Sequence, residues 1–395
     1  MFFIRKFGLF LFMCIQGCVQ AAPDIQPDIQ VARLPEGAMQ PQVVAKNGAV
    51  HLVFLKGEPR ACDVWYQRSN DWGKVWSAPL RINSQAGSAI AMGTIRGAQL
   101  AVGRNERVFV AWNGSGEAQP RNAWTPEINR KHGASPYLFS RLKDDGSAFE
   151  AQRNLMTKTF NLDGGGSLAA DDEGRVYVVW HANDKAGQDE AGRHVWIARS
   201  TDDGATFTKE TPAWNEPTGV CGCCQLKLMA DNDGKVTLLF RAATEMVNRD
   251  TFALFSTDSG KSFNGKKIHD WKINACPMSS YALDKLGDTT LATWESDQRV
   301  FYSPLDAAMQ ATNIIEASGK GENRKHPALA VNSEGQTLLV WDENTAWARG
   351  GKILWQLYDK NGRPLANASG QKNGLPVWSY AATFTRPDGG FTVLY

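Results

Sequence analysis

The sequence lacks several features that would assign it to a common functional class. Its formal net charge is only +2 and no run of lysine or arginine exceeds two residues, which disfavours binding to nucleic acid or to an anionic membrane surface. No long stretch shows the apolar period of a helix. The apolar run at residues 7–15 is too short to span a bilayer as a helix. These absences predict an all-β protein without a nucleic-acid partner and without a transmembrane segment in the mature chain.

The N-terminus has the layout of an export signal. Arg5 and Lys6 precede the apolar run, and residues 19–21 (VQA) resemble a cleavage site. We therefore predict a signal peptide at residues 1–21 and a periplasmic or extracellular protein. An alternative is a bacterial lipoprotein that is lipidated at Cys18 in the motif IQGC.

Three stretches repeat one eight-residue pattern of Ser, Asp, Gly and an aromatic residue: 69–76 (SNDWGKVW), 200–207 (STDDGATF) and 256–263 (STDSGKSF). A fourth stretch, 144–149 (DDGSAF), keeps only the Asp, the Gly and the aromatic residue. An Asp with a Gly two residues later favours a tight turn, because Asp hydrogen-bonds to nearby backbone and Gly tolerates positive φ. Recurrence of such a turn indicates a repeated β-unit.

Seven segments share a second pattern, in which a polar turn precedes an apolar strand that ends in an aromatic residue. They are residues 47–54, 104–112, 172–180, 232–240, 286–294, 333–341 and 387–395. Each follows another short apolar run and so predicts the two inner strands of a propeller blade. Six continue into an outer hairpin, while the seventh stops at Tyr395.

These counts predict a single β-propeller domain over residues 22–395, built from four-stranded blades. The count gives seven blades, or six if one hairpin is decorative. A strand around residues 28–31 can supply an outer strand to the last blade and close the ring, which removes exposed edges. A polar insert at residues 116–135, with two prolines, predicts a long loop in the second blade, and such loops are often functional.

The predicted topology sorts polar residues between two faces. Because successive antiparallel strands alternate in direction, the repeated turns lie on one face, and the second-to-third-strand loops and the blade linkers lie on the other. We expect this second face to carry the site. Its candidate residues are Asn113, His181, Arg241, Glu295, Asp342, Glu343, Gln40, Arg96, Cys223, Cys224, Cys276 and His326.

The five cysteines beyond the predicted signal peptide all map to this second face. In an exported protein they favour disulfides, with one bridge from the Cys221–Cys224 cluster to Cys276 and a second to Cys62, which leaves one thiol free. The alternative is a Cu or Zn site formed by Cys221, Cys223, Cys224 and Cys276 near Met278, because thiolates and thioethers suit soft metals. The cysteine spacing differs from that of a zinc finger.

The repeated turn is the Asp box, and most of the chain resembles the sialidase-type (BNR-repeat) β-propellers that carry it. The resemblance implies an exported glycoside hydrolase without a cofactor, which acts on acidic glycans and binds a carbohydrate or other small anionic ligand. These enzymes grip the substrate carboxylate with three arginines and use a Tyr nucleophile helped by a Glu. Carried over to this sequence, the resemblance implies substrate binding by Arg96, Arg241, Arg299, Arg349, His181 and His326, and catalysis by Tyr380, Glu245 or Glu295.

The chain also departs from the sialidase pattern. Residues 40–43 (QPQV) replace the Arg-Ile-Pro that enters the first inner strand. The nucleophile position is Trp378, with Tyr380 two residues later, and the partner Glu position falls near Cys223. These departures support the alternative of a non-catalytic propeller that binds a soft metal or a partner protein at the cysteine-rich face.

Overall fold

Nearly all regular structure in the chain is β-strand. The computed structural model describes residues 2, 26–93, 95–121, 135–321 and 323–395. One turn of 3-10 helix covers Arg104–Glu106. The strands are β1 (Ile29–Ala32), β2 (Ala38–Lys46), β3 (Ala49–Glu58), β4 (Ala61–Ser69), β5 (Leu80–Arg81), β6 (Gln99–Val102), β7 (Val108–Asn113), β8 (Tyr137–Arg141), β9 (Arg153–Asn154), β10 (Ser167–Ala170), β11 (Val176–Ala182), β12 (His194–Ser200), β13 (Thr211–Pro212), β14 (Lys227–Ala230), β15 (Val236–Arg241), β16 (Thr251–Ser256), β17 (Asn264–His269), β18 (Tyr281–Leu286), β19 (Thr289–Ser296), β20 (Arg299–Leu305), β21 (Ile315–Glu316), β22 (Arg324–Val331), β23 (Thr337–Glu343), β24 (Gly351–Tyr358), β25 (Pro364–Leu375), β26 (Ala382–Thr385) and β27 (Phe391–Leu394).

These strands form seven sheets that are the blades of a β-propeller. Six sheets contain four consecutive strands each, from β2–β5 in blade 1 to β22–β25 in blade 6, and blade 7 has the order β1-β27-β26. The innermost strands of neighbouring blades contact one another in chain order, and β26 contacts β2. A central cavity of about 520 Å³ is lined by residues from all seven innermost strands. The prediction of seven blades is confirmed, and the alternative of six is wrong.

The ring closes where the two ends of the propeller meet in blade 7. Strand β1 pairs in parallel with β27, with Ile29 opposite Phe391 and Ala32 opposite Leu394. The Leu34 N–H donates a hydrogen bond to the carbonyl of Tyr395 at 2.9 Å. Together with the inner hairpin of β26 and β27, β1 gives blade 7 three strands within the described residues.

The core lies between neighbouring blades, as the aromatic strand ends indicate. All seven aromatic residues that end the predicted apolar segments are buried, and none is more than 6 % exposed. They are Phe54, Trp112, Trp180, Phe240, Trp294, Trp341 and Tyr395. Burying large aromatic surface at each blade junction stabilises the ring.

The three complete Asp boxes have almost the same hydrogen bonds. In the third box, the Ser256 hydroxyl donates to Asp258 Oδ1 at 2.7 Å and accepts from the Gly260 N–H at 2.9 Å. The Ser262 N–H also donates to Asp258 Oδ1, at 2.9 Å. Gly260 has φ +70°, a backbone conformation that Gly tolerates better than other residues. The Ser hydroxyl and the Asp carboxylate at the third position of each box therefore hydrogen-bond within the turn.

Two predictions fall mainly outside the described residues. The predicted signal peptide at 1–21 is outside them apart from Phe2, and most of the predicted loop at 116–135 is also outside them. Within the part of the chain that the structure describes, no helix has the length and apolar character needed to cross a membrane.

Candidate functional site

We call the face that bears the Asp boxes the box face, and the opposite face, with the second-to-third-strand loops and the blade linkers, the site face. On the site face, the linker before β14 carries Cys221, Cys223 and Cys224, and the linker before β18 carries Cys276. These linkers belong to adjacent blades. A disulfide joins Cys223 to Cys276, with a Cα–Cα distance of 6.2 Å, so the predicted bridge from the cluster to Cys276 is present.

The first linker is held in a tight turn by contacts from neighbouring strands. The Cys221 N–H donates to the carbonyl of Arg241 at 2.9 Å, and the Gly222 N–H donates to Glu190 Oε1 at 2.5 Å. A Cβ on Gly222 would lie 2.5 Å from Arg193 Nη1 and 2.7 Å from Glu190 Oε1. Only glycine fits between Cys221 and Cys223 without displacing these side chains.

Four sulfur atoms are therefore gathered at one point. Cys221 Sγ lies 3.5 Å from Cys223 Sγ and 3.0 Å from Cys224 Sγ, and the three sulfurs all lie within 4.8 Å of one another. Cys221, Cys223 and Cys224 are buried, whereas Cys276 is exposed. The group, here called the sulfur cluster (Cys221, Cys223, Cys224 and Cys276), thus extends from the surface to the interior. Met278 packs against its buried part.

The surroundings of the sulfur cluster favour a thiolate at Cys224. Burial alone raises the pKa of Cys224, but the hydrogen bond with Cys221, the charge of Arg241 and the Ser279 hydroxyl together lower it to about 7. The Ser279 hydroxyl lies 3.3 Å from Cys224 Sγ. Burial and the neighbouring Cys224 raise the pKa of Cys221. The negative charge of the pair therefore resides on Cys224.

Cys62 does not join the sulfur cluster, so the predicted second bridge is wrong. Cys62 is a free, buried thiol that packs with Val64 and Trp112 between blades 1 and 2. The linkers of the sulfur cluster belong to blades 4 and 5, and blade 1 is adjacent to neither. Topology assigned Cys62 to the correct face but not to the correct sector of the ring. Burial raises the pKa of Cys62 to about 12.

Arg241, the best match to a carboxylate-gripping arginine, is engaged in holding blades together. Its guanidinium donates to the Ser279 hydroxyl at 2.7 Å, to the Arg249 carbonyl at 2.5 Å and to the Glu295 carbonyl. It also stacks over the ring of Trp271, 4.6 Å from the centroid. Arg241 is 1 % exposed, and its guanidinium N–H groups are directed at other protein groups.

The other three predicted arginines occupy separate environments. Arg96 pairs with Asp163 and donates to the Met92 carbonyl. Arg299 pairs with Glu316 and Asp297, and its side chain is 49 % exposed. Arg349 donates to the Asn344 carbonyl within its own loop. Each of the four predicted arginines is therefore engaged with protein groups of its own, and these contacts have no partner in common.

The two predicted histidines are buried on the site face. His181 Nδ1 lies 3.2 Å from Arg193 Nη1, and burial followed by the charge of Arg193 holds the pKa of His181 well below its ordinary value, against a backbone hydrogen bond with Cys224 that raises it. His326 Nδ1 lies 2.9 Å from Asp342 Oδ1. Among the described residues, His326 Nε2 has no hydrogen-bond partner.

The predicted catalytic residues do not contact one another. The Tyr380 hydroxyl accepts a hydrogen bond from Gln42 at 3.0 Å, and burial raises its pKa to about 12. Glu295 is buried and pairs with Lys325 at 2.8 Å. Glu245 is exposed in the loop after β15, where it accepts a hydrogen bond from Asn248. Among the described residues, two direct links join the predicted substrate-binding and catalytic residues: the hydrogen bond from Arg241 to the Glu295 carbonyl and a ring contact between His326 and Tyr380, whose centroids lie 6.0 Å apart.

Charged side chains around the Cys221 linker were not predicted from the sequence. Arg249 Nη1 pairs with Glu190 Oε2 at 2.6 Å, and Arg193 reaches both Gly222 and His181. Arg193 directly precedes β12, the third strand of its blade. The sequence places Arg193 next to the site face, but the direction of its side chain depends on packing.

Comparisons with known proteins support the fold. Neither a protein-family model nor a curated protein matches the chain. A protein of unknown function from Dyadobacter fermentans has a similar structure, with a TM-score of 0.54, 16 % identity, and coverage of 88 % of this chain and 98 % of that one. Trypanosoma rangeli sialidase is similar with a TM-score of 0.51 and 13 % identity, over 80 % of this chain and 54 % of the sialidase. The complex of that sialidase with sialic acid gives a TM-score of 0.50 and 14 % identity, over 82 % of this chain and 54 % of the sialidase. The chain thus spans about half the length of the sialidase it resembles and shares the sialidase-like propeller fold.

Proposed function

We propose that this protein binds a soft metal ion, Cu(I) or Zn, at its site face through Cys221, Cys223, Cys224 and Cys276. The observation that carries the proposal is the convergence of three cysteine sulfurs to within 4.8 Å, with the fourth bonded to one of them. We further propose that the chain is an exported binding protein, because structural disulfides are typical of oxidising compartments.

The spacing of the sulfurs suits a shared metal ion. With Zn–S bonds of about 2.3 Å, two sulfurs that bind one ion lie at most about 4.6 Å apart. The distances from Cys221 Sγ, 3.0 Å and 3.5 Å, fall within that limit. The thioether of Met278, which packs against the same sulfurs, is a further soft donor that favours Cu(I). The nearby guanidinium of Arg241 offsets the negative charge that several thiolates would bring.

Metal titration of the fully reduced protein tests the proposal. Under anaerobic conditions, Cu(I) is titrated against a chromophoric chelator, and Zn is measured by elemental analysis after gel filtration. We expect about one ion per chain and its loss in the double variant Cys223→Ser with Cys224→Ser. Cys62→Ser is the matched control, because this thiol is also buried but lies in another sector of the ring.

The variants are first compared by circular dichroism and thermal unfolding, so that misfolding is distinguished from loss of ligands. The proposal is overturned if the reduced wild-type protein binds no more metal than the folded double variant.

Glycoside hydrolysis of acidic glycans is the second candidate function. It is supported by the sialidase-like fold and by Glu295, a buried carboxylate next to Arg241 that has one oxygen, Oε2, without a hydrogen-bond partner among the described residues. In this function, a carbohydrate carboxylate or another small anionic ligand would replace the present protein partners of four arginines, namely Arg96, Arg241, Arg299 and Arg349. Tyr380 would need a nearby base, since its pKa is about 12.

A fluorogenic sialoside tests this second candidate. We expect turnover by the wild-type protein, and its loss in Arg241→Ala and in Glu295→Gln, which keeps the side-chain shape. An absence of turnover across a panel of acidic glycosides rules the candidate out.

A further inference from the structure

The Cys223–Cys276 bridge is unequally accessible at its two ends. Cys276 lies in an exposed stretch of the linker before β18, where residues 274–276 are all exposed. Cys223 is only 5 % exposed and is covered by the linker before β14. A thiol that approaches from solvent therefore meets Cys276 first.

The buried end of the bridge is next to further thiols. Cys223 Sγ lies 3.5 Å from Cys221 Sγ, and Cys221 Sγ lies 3.0 Å from Cys224 Sγ. If the bridge opens, the Cys223 sulfur is released directly beside two free thiols. The same event that frees Cys276 thus assembles three adjacent thiols in the interior.

We infer that the Cys223–Cys276 bridge is opened by an external dithiol that attacks Cys276, and that this reduction completes the soft-metal site. The inference rests on the proposed function, because it concerns the loading of that same sulfur cluster. In the oxidised protein, two of the four proposed ligands are bonded to each other and neither is a thiolate. The reduced protein offers all four sulfurs.

The exchange balances without any further reactant. One thiolate of the dithiol attacks Cys276 Sγ, the Cys223–Cys276 bond breaks, and its electron pair leaves on Cys223 Sγ, which takes a proton. The second thiolate of the dithiol then attacks the dithiol sulfur of the mixed disulfide and releases Cys276 as a thiolate, which is protonated. Two electrons and two protons pass from the dithiol to the bridge, and the dithiol becomes a cyclic or intramolecular disulfide.

Residue-specific alkylation tests the inference without metal. Folded protein is treated with graded dithiothreitol, alkylated and analysed by mass spectrometry of its cysteine peptides. Before reduction, we expect Cys223 and Cys276 to be blocked and Cys62, Cys221 and Cys224 to be alkylated only after denaturation, because these three are buried free thiols. With increasing dithiol, Cys223 and Cys276 should be reduced together, and Cys276 should be alkylated first in the folded protein.

Metal titration of the same samples forms the second arm. Loss of an outer-shell partner lowers metal affinity by roughly 10–100-fold. Because reduction frees two of the proposed ligands themselves, it should strengthen Cu(I) binding by more than that factor. Cys276→Ser abolishes the bridge, so its Cu(I) affinity should no longer depend on dithiol. Cys62→Ser should behave like the wild-type protein.

The arms separate failure of this inference from failure of the proposed function. An unreactive bridge in the folded protein, or equal metal affinity before and after reduction, overturns redox control even if metal binds. If the bridge opens as expected but neither the reduced protein nor Cys276→Ser binds metal, the proposed function itself fails and the inference falls with it.

Discussion

The two faces of the propeller satisfy their polar groups in different ways. On the box face, each Asp box closes its hydrogen bonds within one turn, as at Ser69, Ser200 and Ser256. On the site face, hydrogen bonds run between blades, as from Arg241 to Glu295 and from Gln40 to Trp378. Several buried polar atoms there have no hydrogen-bond partner among the described residues, namely Gln40 Oε1, Asn113 Oδ1, Glu295 Oε2 and His326 Nε2.

This difference explains why one face repeats and the other does not. The Ser and Asp side chains of a box bond within their own turn, so this part of the turn can recur around the ring, although the second box also accepts hydrogen bonds from Arg141 and Arg153 of blade 2. A group that depends on the next blade must match that blade, so each junction of the site face has its own residues. Unpaired buried polar groups are costly to retain. They occur on both faces, since Asp203 Oδ1 in the second box also has no hydrogen-bond partner among the described residues, so they do not by themselves distinguish the site face.

The largest expected effect on stability is at Arg241. Replacing Arg241 by Met should lower the free energy of unfolding by about 3 kcal/mol, because charged hydrogen bonds are lost and buried acceptors are left unpaired. Urea unfolding, followed by tryptophan fluorescence, measures the change.

Arg299→Met is the control for Arg241→Met. The Arg299 side chain is half exposed and pairs with exposed carboxylates, so its loss should change stability by less than about 1 kcal/mol. Equal effects of the two substitutions would contradict the proposed dependence of the site face on contacts between blades.

The sequence was sufficient to predict the fold because the signals for it are local. The turn at residues 256–263 and the aromatic ends such as Trp294 are defined by residues close together in the chain. Ring closure by β1 was also predictable, because the unpaired hairpin ending at Tyr395 required a partner strand. The single outer strand expected from residues 28–31 corresponds to β1, which gives blade 7 three strands.

The site was predictable only in part, because topology gives the face of a residue but not its sector or its partners. The assignment of the blade linkers to one face brought Cys223 and Cys276 together correctly, since their linkers belong to adjacent blades. It placed Cys62 on the same face but could not show that it lies in another part of the ring. It also could not show that Arg241 points at carbonyls and Ser279 rather than at a ligand.

An intermediate effect is expected at the third Asp box. Asp258→Ala removes the acceptor of hydrogen bonds from Ser256, Lys261 and Ser262, a loss comparable with that of a helix N-cap, about 1–2 kcal/mol. Thermal and urea unfolding measure it. Because the box is local, the metal affinity of the reduced sulfur cluster should not change.

Asp144→Ala in the incomplete box is the comparison for Asp258→Ala, because Asp144 lies two residues before Gly146 as Asp258 does before Gly260. The exposed Asp144 carboxylate pairs with Arg107 outside the turn, so its loss should destabilise the protein less. If Asp144→Ala is as harmful as Asp258→Ala, the stability of a box turn does not depend on the hydrogen bonds that its Asp accepts within the turn.

The smallest expected effect is the acid sensitivity of a single box carboxylate. Burial raises the pKa of Asp202, but hydrogen bonds from Thr206 and Ser200 outweigh it and lower the pKa to about 2. A carboxylate with a lowered folded-state pKa stabilises the protein above its unfolded-state pKa of about 4, and this contribution is lost as the pH falls toward 2.

The stability difference between wild-type protein and Asp202→Asn should therefore shrink from about pH 5 to pH 2 and stay below about 1 kcal/mol, since the turn is solvent-exposed. Other acid-sensitive groups, such as the buried His51 with its lowered pKa, are common to both proteins and cancel in that difference. A difference that stays constant over this pH range would show that Asp202 acts in the box through its shape alone, and the local charge–backbone interactions ascribed to the box face would then have to be revised.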